Sequence, residues 1–357
     1  MLNLLLTVFV CVSAVKWHQL ANYNFNQYQS EFNKVYSLTE INFRKNIFDL
    51  RLTEIIAHNK NPMYTWKKGV NHFTDRTTAE LNFMLGSRPG HLKSDSNYKT
   101  KFYKLSSGIG VDWRSKNVIT AVKNQGNCGS CWAFAAVETI ESSYAILTGK
   151  LENLSEQQIL DCTPNLNHCG GSGGCNGGTV ELAYDQVTKM GGLSSEWTYP
   201  YTSFYGEPSN CNKTKSKPVV AVKSYDVLEQ NKYQPFIDYV SSDGPVAVSV
   251  DASNWFMYES GVFNGCNQTV IDLNHAVQLV GFGTDLNLGD YWLVRNSWST
   301  VWGENGYIRL YRSPEVTCGI DNSPADGSGC NGGPNSVVVC GTCGILYEGV
   351  YPHVTVI

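Results

Sequence analysis

The stretch Asn124-Gln-Gly-Asn-Cys128-Gly-Ser-Cys131-Trp-Ala-Phe-Ala-Ala136 sets two cysteines three residues apart, just ahead of an apolar run with helical spacing. Three chemistries suit such a pair. Two thiolates can clip a metal, they can cycle as a redox couple, or one can be a nucleophile while its neighbour serves a separate structural bond. A cysteine that opens a helix meets the positive end of the backbone dipole, which favours thiolate. Cys131 has that position. A thiolate nucleophile needs a cationic partner, usually histidine, held by a third group. His275 interrupts an otherwise apolar strand, Leu273-Asn274-His275-Ala276-Val277. Asn296, in Arg295-Asn-Ser-Trp298, lies at another strand end; its amide could accept the imidazole N–H, with Trp298 screening that bond from water. Gln125, six residues before Cys131, could donate to an oxyanion alongside the Cys131 backbone N–H. A lone histidine in a strand is more often a packed core residue than a catalyst, so these residues alone permit the assembly without requiring it.

The elements that would carry these groups are readable. Phe134, Val137, Ile140, Tyr144 and Leu147 recur at helical spacing after Cys131, and Gly149 is a stop. From Pro218 the pattern changes. Val219–Val222, Val246–Val250, His275–Gly281, Tyr291–Arg295 and Tyr307–Tyr311 read as short strands with glycine turns. The later part of the chain is therefore expected to be α+β: a helical half, about 109–217, followed by a β-rich half, about 218–357. Upstream, residues 17–86 read as helical and charged. Glu40, Arg44, Phe48, Arg51, Ile55 and Asn59 fall on one helix face over 40–59. Gly69-Val-Asn71-His-Phe73-Thr-Asp75 looks like a strand entry closed by a turn. Residues 87–108 are polar, with few large aliphatics, as in an exposed linker.

The whole chain has 357 residues, enough for two or three folded units. It is 42% hydrophobic and 16% charged, with a net charge of −4, which gives no reason to expect nucleic acid. The charge is uneven. Residues 15–108 carry 14 Lys and Arg against 7 Asp and Glu; residues 109–357 carry 13 against 24. A basic segment docked on an acidic domain and released by acid is one expectation from that asymmetry. The first 14 residues, MLNLLLTVFVCVSA, are apolar and end in small residues, with Val12 and Ala14 where a signal peptidase reads −3 and −1. They read as a cleaved secretory signal too short for a membrane span, and no later stretch is long enough for one. Sequons at Asn153, Asn212 and Asn267 fit a secretory route.

Twelve cysteines are present, and eleven remain once Cys11 leaves with the signal. An odd number in a secreted domain leaves one thiol unpaired or an intermolecular bond. Cys128-x-x-Cys131 and Cys340-x-x-Cys343 both have zinc-ligand spacing, but more than 200 residues separate them and an oxidising compartment favours disulfides. A thioredoxin-like pair should follow a βαβ pattern, and none is visible upstream.

Taken in order, Gln125-Gly-Asn-Cys128-Gly-Ser-Cys131-Trp132-Ala-Phe, Cys162 in LSEQQILDC, Cys175-Asn-Gly-Gly178, Asn274-His275-Ala276, Asn296-Ser-Trp298 and Trp302-Gly303 resemble the motifs of papain-like cysteine proteases. The Glu40–Asn59 helix looks like the ERFNIN propeptide motif of the cathepsin L-like branch, with Arg51 where Asn is usual, and Gly69–Asp75 fits the G-x-N-x-F-x-D motif fully. The resemblance implies a papain-like two-lobed fold with a cleft between the lobes, preceded by an inhibitory propeptide at 15–108. It implies Cys131 as nucleophile, His275 as its partner, Asn296 as orienter, and Gln125 in the oxyanion site. It also implies disulfides Cys128–Cys175, Cys162–Cys211 and a third from Cys266. Two C-terminal cysteines, Cys318 and Cys343, match the third partner locally; the spacing to Tyr351-Pro352 favours Cys343. Residues about 313–342 then form a Cys-rich insertion, a disulfide-stapled surface excursion or a substrate-facing loop. Cys169, Cys318, Cys330 and Cys340 are left with two bridges in three possible connectivities.

By the same resemblance, Gly129, Gly177 and Gly178 line the cleft, and Thr179, Val180, Ser249, Leu273 and Ala276 form the pocket for the residue two before the scissile bond. Asn274 and Trp298 flank the catalytic histidine, and Glu348 falls at the pocket base if Cys343 is the matched cysteine. The expected pocket takes Leu or Phe and, with Glu348 ionised, Arg. The thiolate–imidazolium pair should hold between a depressed cysteine pKa and a raised histidine pKa. No long insertion follows Gly178, so an endopeptidase is expected rather than a carboxypeptidase. The resemblance implies no cofactor and no metal. The implied partners are peptide substrates, the propeptide itself and cystatin-type inhibitors, with a monomeric mature enzyme in a lysosome, a vacuole or the extracellular space. The reading from another class is a non-catalytic binding or storage protein on the same fold; intact Cys131, His275, Asn296 and Gln125 weigh against it.

Overall fold

A computed structural model describes residues 15–86, 110–207, 209–324 and 330–357. The expected signal at 1–14 and the linker at 87–108 lie outside them. Two apolar cores organise the chain. One belongs to a helical lobe, where Trp132, Ala136, Ile140, Ile159, Ala183 and Tyr184 pack together. The other fills a β-rich lobe and extends into the N-terminal segment, uniting Phe48, Ile55, Trp66 and Phe73 with Trp255, Phe263, Val277 and Trp298.

The helix Cys131–Thr148 lies between the two. It is buried on nearly every side, so its apolar residues form no single stripe, as befits a core helix. It ends where Gly149 adopts left-handed φ of 72° and donates its N–H to Ala145 at 2.8 Å. Shorter helices, Glu156–Cys162 and Val180–Met190, complete that lobe. The second begins at Thr179, whose hydroxyl caps the Leu182 N–H at 3.3 Å.

A ten-stranded sheet runs in the order Trp66–Lys68, Tyr258–Phe263, Tyr307–Tyr311, Gly289–Arg295, His275–Asp285, Val246–Val250, Gly349–Val356, Pro218–Val227 and Leu193–Ser194, with Val111–Asp112 also pairing on His275–Asp285. Strands Val246–Val250 and Tyr307–Tyr311 have the bounds expected from the sequence. The helix Tyr233–Ser242 was not expected within the β-rich half. A separate hairpin, Cys318–Asp321 with Val337–Cys340, carries the Cys-rich stretch.

The N-terminal segment folds on the helix Ile41–Lys60, one residue offset from the 40–59 expectation. Its face does what the spacing suggests. Phe48 and Ile55 are buried, Arg44 pairs with Glu80 at 2.6 Å, Arg51 donates to the Phe73 carbonyl at 2.7 Å, and Asn59 clasps the Lys68 backbone at 2.7 and 2.9 Å. Residues 69–75 form a turn, not a strand, with the Trp66–Lys68 strand just before them. Asp75 gathers Tyr28 at 2.6 Å, Lys34 at 3.0 Å and Tyr36. Trp66–Lys68 then joins the sheet edge, with Trp66 opposite Gly261.

Candidate active site

Five disulfides account for ten of the cysteines: Cys128–Cys175, Cys162–Cys211, Cys266–Cys343, Cys169–Cys330 and Cys318–Cys340. Among the described residues Cys131 is the free thiol. The pairing consumes Cys128, Cys340 and Cys343, so neither the four-thiolate zinc site nor a Cys128–Cys131 redox couple is available. Cys343, not Cys318, closes on Cys266.

Cys131 is fully buried at the first position of its helix. Its sulfur lies among backbone N–H groups of Ala276, Gly86, Trp132 and Cys131 itself. Contact with Ala276 brings the thiol to the strand residue directly after His275. His275 Nε2 meets Asn296 Oδ1 at 2.8 Å, while its other nitrogen, Nδ1, is buried with no protein partner. The ring stacks on Trp298 with centroids 4.7 Å apart. Trp298 is itself stacked on Phe256 at 4.7 Å, with the edge of Phe73 at 5.5 Å, so the His275–Asn296 bond is walled off from water. Asn296 is fixed from behind, because its Oδ1 also accepts the Ser297 N–H at 2.8 Å and its own N–H reaches Gly306 at 3.0 Å. Arg295, wholly buried, anchors the same turn to Thr120 at 3.0 Å and to Glu138 at 3.4 Å.

Gln125 is equally constrained. Its Oε1 accepts the Ser297 hydroxyl at 2.7 Å, and its Nε2 donates to the carbonyls of Met84 and Cys128, both at 2.8 Å. Met84 belongs to the N-terminal segment. That segment continues past the Cys131 sulfur to Gly86, whose carbonyl accepts the Gly178 N–H at 3.2 Å. Gly86 lies so close to Gly129 that a Cβ there would sit 1.9 Å from the Gly129 carbonyl oxygen.

Burial dominates the electrostatics. It pushes the Cys131 thiol up to about 12, against the backbone donors around it, and pulls His275 down to about 4 despite the Asn296 bond. With the N-terminal segment in place each group is driven to its neutral form, opposite to the shifts expected for a working ion pair. The reason is the cover: Gly86 and Met84 occupy the space that water would fill.

The pocket residues divide. Val180, Leu273 and Ala276 are buried apolar groups, Gly178 lies flat on the Trp132 ring, and Asn274 is committed to Ala252 N–H at 3.0 Å and the Ser253 hydroxyl at 2.9 Å. Glu348 is 1% exposed and accepts a hydrogen bond from Ser249. Glu181, not anticipated from the sequence, packs its carboxyl against that of Glu348. Two carboxyls in contact can hydrogen-bond only if one keeps a proton, and burial raises both pKa values. Tyr184, Tyr225, Tyr347 and Asp185 surround them, and no cation compensates the pair among the described residues. Glu181 gave no signal because an acid in a helix's first turn reads as a dipole partner. Asn153, Asn212 and Asn267 are all exposed.

Comparisons with known proteins agree with this geometry. The model of the papain family of cysteine proteases matches residues 109–335, and that of the cathepsin propeptide inhibitor domain matches residues 25–81. The chain belongs to the papain family. It is a cysteine peptidase of cathepsin L-like type, made as a zymogen with its own inhibitory propeptide. A viral cathepsin of Heliothis zea nuclear polyhedrosis virus is 37% identical over 84% of this chain and 82% of its own length. Procathepsin L of Mus musculus is 34% identical over 89% of this chain and 96% of its own. Among solved structures, digestive procathepsin L 3 of Tenebrio molitor larval midgut superposes with a TM-score of 0.73 at 32% identity, covering 92% of this chain and 97% of that one.

Proposed function

We propose that the protein is an endopeptidase that cleaves peptide bonds through a Cys131 thioester once its propeptide has left. The observation that carries this is the free Cys131 thiol at a helix N-terminus, next to the His275–Asn296 couple and covered by propeptide backbone. Removing Met84 and Gly86 rehydrates the site, and the helix dipole and the imidazole then favour thiolate and imidazolium. Cys131 Sγ attacks the scissile carbonyl, and the oxyanion forms where Gln125 Nε2 and the Cys131 N–H converge. The amine leaves with the proton of His275, giving a thioester. Water, deprotonated by His275, then releases the acid and restores the thiol proton to the pair.

A substrate of this orientation sets its scissile carbonyl at Gln125 and its preceding residues along Gly178. In the propeptide, Gly86 follows Met84 in the chain yet lies on Gly178. The inhibitor therefore runs opposite to a substrate. The residue two before the scissile bond enters the pocket of Val180, Ser249, Ala276 and Leu273, with Glu348 at its base.

Acid loosens the propeptide through its own interior. Of the ion pairs among the described residues, only Lys16–Glu259, at 4.0 Å, joins the propeptide to the catalytic domain. The uneven charge of the two segments is thus scarcely realised as contacts. His72, Asp75 and Glu80 are the better triggers, because each is held below its ordinary pKa in the docked fold. A signal at 1–14, cleavage near 108–110, passage through the secretory pathway to a lysosome, a vacuole or the cell exterior, a monomeric mature form and sensitivity to cystatin-type inhibitors complete the reading. An epoxide thiol trap should label acid-matured protein and leave Cys131→Ala unlabelled; absence of labelling with a folded, matured protein would favour the non-catalytic alternative.

A further inference from the structure

The Cys169–Cys330 disulfide joins the two lobes. Cys169 lies between Cys162 and Cys175, in the helical lobe. Cys330 belongs to the Cys-rich stretch, whose first strand is bound to the β-rich lobe by hydrogen bonds of Ile320 with Ile271, at 3.1 Å, and Thr269, at 2.9 Å. A second cross-lobe contact lies beside the bridge, where the Asn331 N–H donates to Asn167 at 2.9 Å.

This link is next to the cleft. Gly170, adjacent to Cys169, presses on Gly177 so closely that a Cβ at Gly177 would meet the Gly170 carbonyl oxygen at 2.3 Å. Gly177 also faces the propeptide, since the same Cβ would lie 3.0 Å from the Gly86 carbonyl oxygen. The Cys169 loop is held rigid by Asn165, which bonds the Cys169 N–H at 2.7 Å and the carbonyls of Cys169 and Gly171 at 2.7 and 3.0 Å. A cavity of about 590 Å³ opens here, bounded by Gly86 and Phe83 of the propeptide, by His168, Ser172 and Asn176 of the helical lobe, and by Asn331 of the Cys-rich stretch. When the propeptide leaves, this space becomes the continuation of the groove beyond Gly178.

We propose that the Cys169–Cys330 bridge and Asn331 complete a third subsite, walled by both lobes, that selects an uncharged polar side chain three residues before the scissile bond. The inference rests on the reading of Gly177 and Gly178 as the rail for extended substrate. Its physical basis is lining chemistry: amides, a hydroxyl and an imidazole offer hydrogen bonds, and a bulky apolar residue would leave them unpaired. The disulfide fixes the distance between the walls, so the subsite is preorganised.

The test compares peptides that share their last two residues before the cut and vary the third between Gln and Leu, assayed on the matured enzyme. In the wild type, kcat/KM should favour Gln by roughly tenfold. In Cys169→Ser/Cys330→Ser that preference should fall to near unity while the pocket for the second residue keeps its profile. Asn331→Leu, which retains the bridge, should shrink the preference without abolishing hydrolysis, and it stands in if the double variant fails to mature. A wild-type preference for Leu, or a Gln preference that survives loss of the bridge, overturns the proposal. Failure of the functional reading looks different: no variant, and no wild type, would cut any of the peptides.

Discussion

The Ser297 hydroxyl donates to Gln125 Oε1 at 2.7 Å, and the Gln125 N–H returns to the Ser297 carbonyl at 2.9 Å. This reciprocal pair fixes which end of the carboxamide faces the Cys131 side. With the oxygen occupied, Nε2 is left to donate to the carbonyls of Met84 and Cys128 in the zymogen and, in the mechanism proposed above, to the oxyanion once the propeptide has left. Ser297→Ala should lower kcat by roughly tenfold with little change in KM, a smaller loss than the ~10²–10³ for removing an oxyanion donor outright. Ser297→Thr should recover most of the rate. Equal losses in both variants would assign Ser297 to packing alone.

Asn296→Ala removes the sole protein partner of His275 Nε2 among the described residues, and the bond it removes is the one that raises the imidazole pKa. The alkaline limb of the rate profile reports loss of the imidazolium proton in the mature enzyme. That bond supports imidazolium, so the variant's window of activity should narrow from its alkaline side while kcat falls. A profile of unchanged shape would show that Asn296 only buttresses Trp298.

The zymogen's thiol should be nearly inert. Burial pushes Cys131 up to about 12, so almost none is thiolate at neutral pH. Iodoacetamide should alkylate the proform slower than the mature enzyme by roughly 10²-fold or more. Comparable rates would mean that the propeptide covers the site without drying it.

The Glu181–Glu348 pair predicts specificity that depends on pH. Burial holds both carboxyls above their ordinary range, and Glu181 pushes Glu348 further up. In acid the pocket is uncharged and should prefer Leu or Phe; as pH rises and Glu348 ionises, Arg should gain. Glu348→Gln should cut the Arg-to-Phe ratio, and an unchanged ratio refutes its placement. Glu181→Gln removes the neighbouring charge, so Arg should become acceptable at lower pH than in the wild type.

Acid processing should follow His72. Its Nδ1 is buried without a partner, although the residue as a whole is half-buried. Burial, with Arg76 and Lys34 nearby, draws it from 6.5 to about 3, and Asp75 opposes only in part. The docked propeptide then binds fewer protons than the released one between those values. Its stability is full above about pH 6.5 and declines as pH falls through that window. Asp75 and Glu80 act lower: Lys34 and the tyrosines outweigh burial at Asp75, and Arg44 holds Glu80 at about 2, so their support is lost only in stronger acid. His72→Phe should move the midpoint of self-processing to lower pH by roughly half a unit or more. High salt should do little, given the single cross-interface ion pair among the described residues.

Much of this was legible from residue spacing, and where it was not the cause is non-local. The helix Ile41–Lys60 shows its burial in its spacing, and the strand Val246–Val250, buried at every position, shows it as a short apolar run. The strand Trp66–Lys68 does not, because three residues become a strand only by finding Tyr258–Phe263 nearly two hundred positions away. Cys131, His275, Asn296 and Gln125 stand out by type and context. Ser297 and Glu181 are ordinary residues until the fold puts Gln125 and Glu348 beside them. Four spare cysteines allow three pairings on paper, and only the meeting of the lobes selects Cys169 with Cys330. The neutral state of the covered thiol was illegible for the same reason, since it comes from Met84 and Gly86 lying over a site some forty residues later in the chain.

The naked backbone contact between Gly86 and Gly129 has one more consequence. At its tightest point the inhibitor presents no side chain for the enzyme to read, so the grip there is indifferent to whatever amino acid the peptidase prefers to cut. Such a plug is a generic one. Supplied as a separate polypeptide, it should silence sister enzymes whose own tastes in substrate differ.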